Sequence, residues 1–129
     1  MASVLLIDDD DFTRRTIGRA LERQGHRVTA TENGRQALKR LRAEPALADL
    51  VMTDIMMPDM DGLELIRELR SVHPDIKIIA MSGGSSVNRM NFLPTAKMLG
   101  AHETLPKPCS GAEIQAAIER LLPASRPGV

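Results

Sequence analysis

Apolar residues along this chain fall into two alternating patterns: short near-continuous runs, and stripes spaced by three or four positions. Val4–Ile7, Leu50–Thr53 and Ile76–Met81 are runs, partly β-branched, and such runs predict strands buried on both faces of a parallel sheet. Arg27–Thr31 and Glu103–Leu105 are weaker strands, expected nearer the edges. Between the runs, Thr13, Ile17, Ala20, Leu21 and Gln24 share one helical stripe that stops at Gly25. Ala37, Leu38 and Leu41 mark a second helix, entered through Asn33-Gly34 and left at Pro45. Leu63, Ile66 and Leu69 mark a third, ended near Pro74. Ile114, Ala117, Ile118 and Leu121 keep the spacing of a buried helical face most clearly. The stretch "GGSSVNRMNFLPTAKMLGA" starts as loop, and Pro94 opens a fourth helix through Leu99. The order is (βα)5, which predicts an α/β fold with a doubly wound parallel five-stranded sheet and right-handed crossovers.

At 129 residues the chain is long enough for one domain with a real core. Residues 1–122 are expected to form that domain, and residues 123–129, "PASRPGV", a flexible tail. Basic and acidic residues number 17 each, so no global field points to nucleic acid or to an anionic membrane. One cysteine, Cys109, rules out an internal disulfide and fits a reducing compartment. The start "MASVLLIDDDD" lacks a basic leader and a long apolar segment, and the chain reads as cytoplasmic, without a membrane span. With two Phe and no Trp or Tyr, the core must be aliphatic and rich in Met.

The first run ends in four consecutive aspartates, Asp8 to Asp11. Two unit charges about 4 Å apart repel by up to ~4 kcal/mol near a protein surface, so such a cluster needs a reason. In open parallel sheets ligands sit beyond the carboxyl ends of the strands. Asp8 and Asp9 follow the first strand, Asp54 the third, Ser82 the fourth and Lys107 the fifth. Three acids, a hydroxyl and a lysine converging from four strand ends suit a hard divalent cation and phosphoryl oxygens. Asp54 can then be a nucleophile. Asp10 and Asp11 precede the first helical stripe, where a carboxylate caps free N–H groups. A metal pair shifted by one residue, Asp9 and Asp10, is the competing assignment.

"VLLIDDDD", "DLVMTDIMMPDMDG", "IIAMSGG" and "LPKP", in this order, resemble the receiver domain of bacterial two-component response regulators, over residues 2 to about 122. The resemblance implies a flavodoxin-like sheet of strand order 2-1-3-4-5. It implies that Asp54 accepts a phosphoryl group from a sensor histidine kinase or phosphotransfer protein, with Mg2+ or Mn2+ as cofactor. Asp9 would bind the cation directly and Asp8 mainly through water, with Asp54 and the backbone carbonyl of Met56 as further ligands. Ser82 would hydrogen-bond the phosphoryl group, and Lys107 would pair with the acids or with phosphoryl oxygen. Lys107–Pro108 would be a cis peptide. The chain then works as a switch that binds an unknown output protein, as a monomer or a phosphorylation-dependent dimer. It makes no direct nucleic-acid contact and catalyses only its own phosphorylation and dephosphorylation.

Other readings stay open at this point. The chain reads as stand-alone because Met1 lies directly before the first strand; a fragment of a larger transcription regulator or hybrid kinase is the alternative. A phosphatase of the dehalogenase type uses an Asp-x-Asp pair, whereas Ile55 and Met56 follow Asp54. A dinucleotide-binding domain lacks its Gly-x-Gly-x-x-Gly after the first strand. Asp59 and Asp61 read as turn formers, Cys109 as a small packed hydrophobe, and His26, His73 and His102 as exposed or turn-associated. Arg14, Arg15, Arg19 and Arg23 read as a solvated helix face. Thr104 stands three residues before Lys107, where many receivers carry an aromatic, so the signal is expected to leave through residues 83–91 and the following helix. Met90, Phe92, Leu93 and Met98 could form an apolar surface there.

Overall fold

The computed structural model describes residues 2–57, 60–83 and 93–122. The expected tail, Asp59, Met90, Phe92 and nearly all of the proposed signalling segment lie outside the described residues. So does the Leu93 side chain.

Five strands are described: β1 (Ser3–Ile7), β2 (Arg27–Thr31), β3 (Leu50–Asp54), β4 (Lys77–Gly83) and β5 (Glu103–Lys107). They form one parallel sheet in the order β2-β1-β3-β4-β5. Helices α1 (Asp11–Arg23), α2 (Gly34–Ala43), α3 (Gly62–Val72), α4 (Leu93–Leu99) and α5 (Gly111–Leu121) alternate with the strands. A single 3-10 turn at Pro45–Leu47 follows α2. Pro45, expected only as the helix stop, is the first residue of that turn.

Successive strand side chains point to opposite faces, which explains why the central runs have no polar alternate. Leu5, Ile7, Val51, Ile78 and Ala80 pack under α2, α3 and α4, with Leu38, Leu41, Leu65, Ile66 and Leu69. Val4, Leu6, Leu50, Met52, Ile79 and Met81 pack under α1 and α5, with Ile17, Leu21, Ile114 and Ile118. Leu65 carries more of the α3 contact than the expected Leu63, which is only partly buried.

Helix starts are set by short polar side chains. Asp10 accepts from the Thr13 amide, Asn33 from Gln36, and Asp61 from Glu64. Ser110 and Glu113 form a reciprocal capping box. These caps orient the loops that leave the carboxyl ends of β1, β3 and β5.

Among the polar residues, one expectation is refined and another needs correction. His26 does follow the turn at Gly25, but it is buried, 7% exposed. Its Nδ1 accepts from the Ala2 amide at 3.0 Å and its Nε2 lies 2.9 Å from Gln115 Oε1. The imidazole therefore joins the start of β1 to α5. Arg14 is not simply solvated: its side chain is 16% exposed and turns back over the β1–α1 loop, while Arg15, Arg19 and Arg23 are exposed. His102 is half-buried beside a turn; burial, then Arg70, Lys77 and Lys97, hold its pKa below the ordinary value. Cys109 packs against the α1/α5 core, and burial pushes its thiol pKa up.

Candidate functional site

Parallel pairing brings the ends of β1, β3, β4 and β5 to one edge of the sheet. Asp8 follows Ile7 directly and is fully buried, whereas Asp9, one residue later, is exposed. Asp54 closes β3 and is 6% exposed. One oxygen from each of Asp8, Asp9 and Asp54 lies within 4.8 Å of the others. Lys107, the last residue of β5, reaches into this group, with Nζ 3.0 Å from Asp8 Oδ2 and 3.4 Å from Asp54 Oδ2. The peptide bond from Lys107 to Pro108 is cis.

Asp8 is held from every side. Its Oδ1 accepts from the Asp10 amide at 2.9 Å, its amide donates to the Thr31 carbonyl at 3.3 Å, and its carbonyl accepts from Arg14 Nη1 at 2.7 Å. Asp54 is less satisfied. Its Oδ1 is buried and has no hydrogen-bond partner among the described residues. Burial pushes the Asp54 pKa up to about 6; Lys107 works against that rise and the charge of Asp8 adds to it. Burial also opposes the Lys107 ammonium, but Asp54 and the hydrogen bond to Asp8 outweigh it and lift its pKa above the ordinary value.

Asp10 and Asp11 serve the helix instead. Asp10 Oδ2 accepts from the Thr13 amide at 2.8 Å and from Thr13 Oγ1 at 2.7 Å, and these bonds hold its pKa down. Asp11 is in the first turn of α1 and pairs with Arg14. This division supports the Asp8/Asp9 register over the shifted one. Ser82 is half-buried near the end of β4, between the positions that pair with Asp54 and with Lys107. Met56 stands two residues past Asp54 and is 54% exposed. Thr104 is half-buried in β5 opposite Ala80. Beside Lys107 a groove of about 350 Å³ is lined by Phe12, Thr13, Ile17, Pro108 and Cys109 among others, and Phe12 is 77% exposed.

Three carboxylates against one ammonium leave an excess of negative charge, and among the described residues Asp54 Oδ1 has no hydrogen-bond partner. A divalent cation with several oxygen ligands fits both facts. Arg14 is the residue that the sequence reading missed. Its spacing of three from Asp11 signals a helix-surface pair, but nothing in the local pattern signals the reach back to the Asp8 carbonyl.

A doubly wound parallel sheet carrying this acid cluster and lysine at its carboxyl edge defines a signalling receiver of the two-component type. The family model for the response regulator receiver domain matches residues 4–119, and the chain belongs to that family. It is 38% identical over 125 residues to the response regulator receiver protein CpdR of Brucella abortus, covering 97% of this chain and 100% of that protein. It is 37% identical over 121 residues to the sensor kinase CckA of the same organism, covering 94% of this chain but only 12% of that protein. A crystal structure of a response regulator receiver domain protein from Clostridium thermocellum superposes with a TM-score of 0.85 at 26% identity, covering 94% of each chain. These relatives are signalling proteins, not dehalogenase-type phosphatases. Among the described residues no helix is long and apolar enough to cross a membrane.

Proposed function

We propose that this receiver is a phosphorylation-controlled switch in which Asp54 takes a phosphoryl group from a histidine kinase or a phosphotransfer protein. The observation that carries this reading is the buried Asp54 carboxylate, with one oxygen facing Lys107 at 3.4 Å and the other without a partner among the described residues. The Asp54 oxygen attacks phosphorus of a phosphohistidine donor. An O–P bond forms, the donor's N–P bond breaks, and the electron pair stays on the imidazole nitrogen. Lys107, with its raised pKa, keeps its proton and exchanges its Asp54 contact for a phosphoryl oxygen. Ser82 donates its hydroxyl to another phosphoryl oxygen, and its displacement on loading biases the equilibrium towards the form that binds an output protein. Asp8, Asp9, Asp54 and the Met56 carbonyl would hold Mg2+ or Mn2+. When bound, that ion supplies positive charge to the phosphoryl oxygens. Residues 1–122 serve as the receiver domain, a boundary the family match over 4–119 supports.

The test is uptake from acetyl phosphate, followed by intact mass. One phosphoryl group is expected with Mg2+ and none after chelation; equal gain in a chelator overturns the metal assignment. A second expectation separates the four aspartates. Asp9→Ala should weaken Mg2+ binding about tenfold or more, because it removes a proposed ligand, whereas Asp11→Ala should change it about twofold or less. Equal losses in a calorimetric titration would mean that the cluster acts only as diffuse charge.

A further inference from the structure

We infer that Arg14 is a positioning residue for the metal-binding turn. This rests on the reading of Asp8, Asp9 and Asp54 as cation ligands. The guanidinium leaves the second turn of α1, and its Nη1 donates to the Asp8 carbonyl at 2.7 Å while its Nη2 pairs with Asp11. The fork thus joins the last residue before the turn to the first residue of the helix. The Asp8 carbonyl belongs to the same planar peptide as the Asp9 amide, so fixing it sets the direction in which Asp9 leaves the strand. Asp8 needs no help to hold its own carboxylate, since the Asp10 amide and Lys107 already do so. Asp9 is exposed, and its placement depends on the path of the backbone. A planar guanidinium with parallel donors suits this double engagement better than a single ammonium.

Charge and geometry predict opposite signs here. Arg14 is a cation beside a cation site, so a purely electrostatic role means that its removal tightens metal binding. A positioning role means that removal weakens it, by about tenfold if it behaves as other groups that orient ligands from behind.

The experiment is a Mn2+ titration of the full chain, followed by the electron paramagnetic resonance of unbound Mn2+. Arg14→Gln keeps helix propensity and one donor but loses the fork. It is expected to weaken Mn2+ binding about tenfold with unchanged far-ultraviolet circular dichroism. Arg15→Gln removes an exposed cation of equal charge from the same turn, and is expected to leave affinity within about twofold of the parent protein. Unchanged or tighter binding in Arg14→Gln overturns the positioning role while leaving the metal site intact. Failure of the parent protein to bind Mn2+ overturns the metal reading and this inference together. Should the Gln variant not fold, Arg14→Lys is held to the same criterion, weaker binding supporting the role and unchanged or tighter binding ending it.

Discussion

Asp54→Asn is expected to abolish phosphoryl uptake from acetyl phosphate and at the same time to make the metal-free protein more stable. The first half follows from chemistry: an amide oxygen in place of a carboxylate is too weak a nucleophile to form the acyl phosphate. Uptake of one phosphoryl group by the variant, seen by intact mass, would move the acceptor to another residue. The second half follows from burial. The Asp54 pKa is pushed from an ordinary 3.8 to about 6, first by desolvation and further by Asp8. Between those values the folded protein retains a proton that the unfolded chain has lost, so stability of the parent protein falls as pH rises through this window. Below the window both states are protonated, and above it both are ionised with the full loss in place. The unscreened linkage amounts to about 3 kcal/mol. Solvent at the mouth of the site and the lost Lys107 contact reduce the expected gain of the variant to about 1 kcal/mol at neutral pH. Urea melts without metal at pH 4 and pH 7 should show the two proteins converging at the lower value. A less stable variant at pH 7 would mean that the carboxylate chiefly makes structural bonds.

Gly62→Ala is expected to cost about 1–3 kcal/mol, a large share of the stability of a domain of this size. Gly62 opens α3, and its amide donates to the Ile55 carbonyl at 2.8 Å. A Cβ there would lie 2.4 Å from the Asp54 carbonyl oxygen and 2.6 Å from Ile55 Cα. Both neighbours are backbone, so no side-chain rotation relieves the overlap. The strand end that carries Asp54 or the start of α3 must move. Gly18→Ala is the matched control, because its Cβ would meet only a Leu6 methyl at 3.8 Å. Removing a glycine from a helix interior there should stabilise by roughly 0.5–1 kcal/mol. Equal urea midpoints for Gly62→Ala and the parent protein would show that the β3–α3 loop relaxes freely.

The strands and helices were legible because a parallel sheet covered on both faces leaves a coarse signal. Val4–Ile7 and residues 50–52 can be apolar at every position only if both faces are covered, and both are. Asp8, Asp9, Asp54 and Lys107 were legible as a group for a topological reason: each follows or ends a strand, and parallel strands end together. Ser82, expected just past the fourth strand, lies inside β4, one residue before its end. What sequence could not show were contacts made at long range by flexible or amphipathic side chains. His26 finds partners at Ala2 and Gln115, separated from it by 24 and 89 positions. Arg14 acts on a carbonyl, which no residue type encodes. The near contact at Gly62 involves backbone on both sides, and a glycine after an aspartate reads equally well as an ordinary turn.

The exposed Phe12 on the rim of the groove beside Lys107 has an experimental use. With neither tryptophan nor tyrosine in the chain, the protein is almost dark in ultraviolet fluorescence. An indole placed at position 12 would emit alone, against no background, within the same groove that Lys107 lines. Its emission colour would follow the polarity of that rim. Arrival of a phosphoryl group or docking of a donor could then be followed in real time by a single optical signal from an otherwise silent molecule.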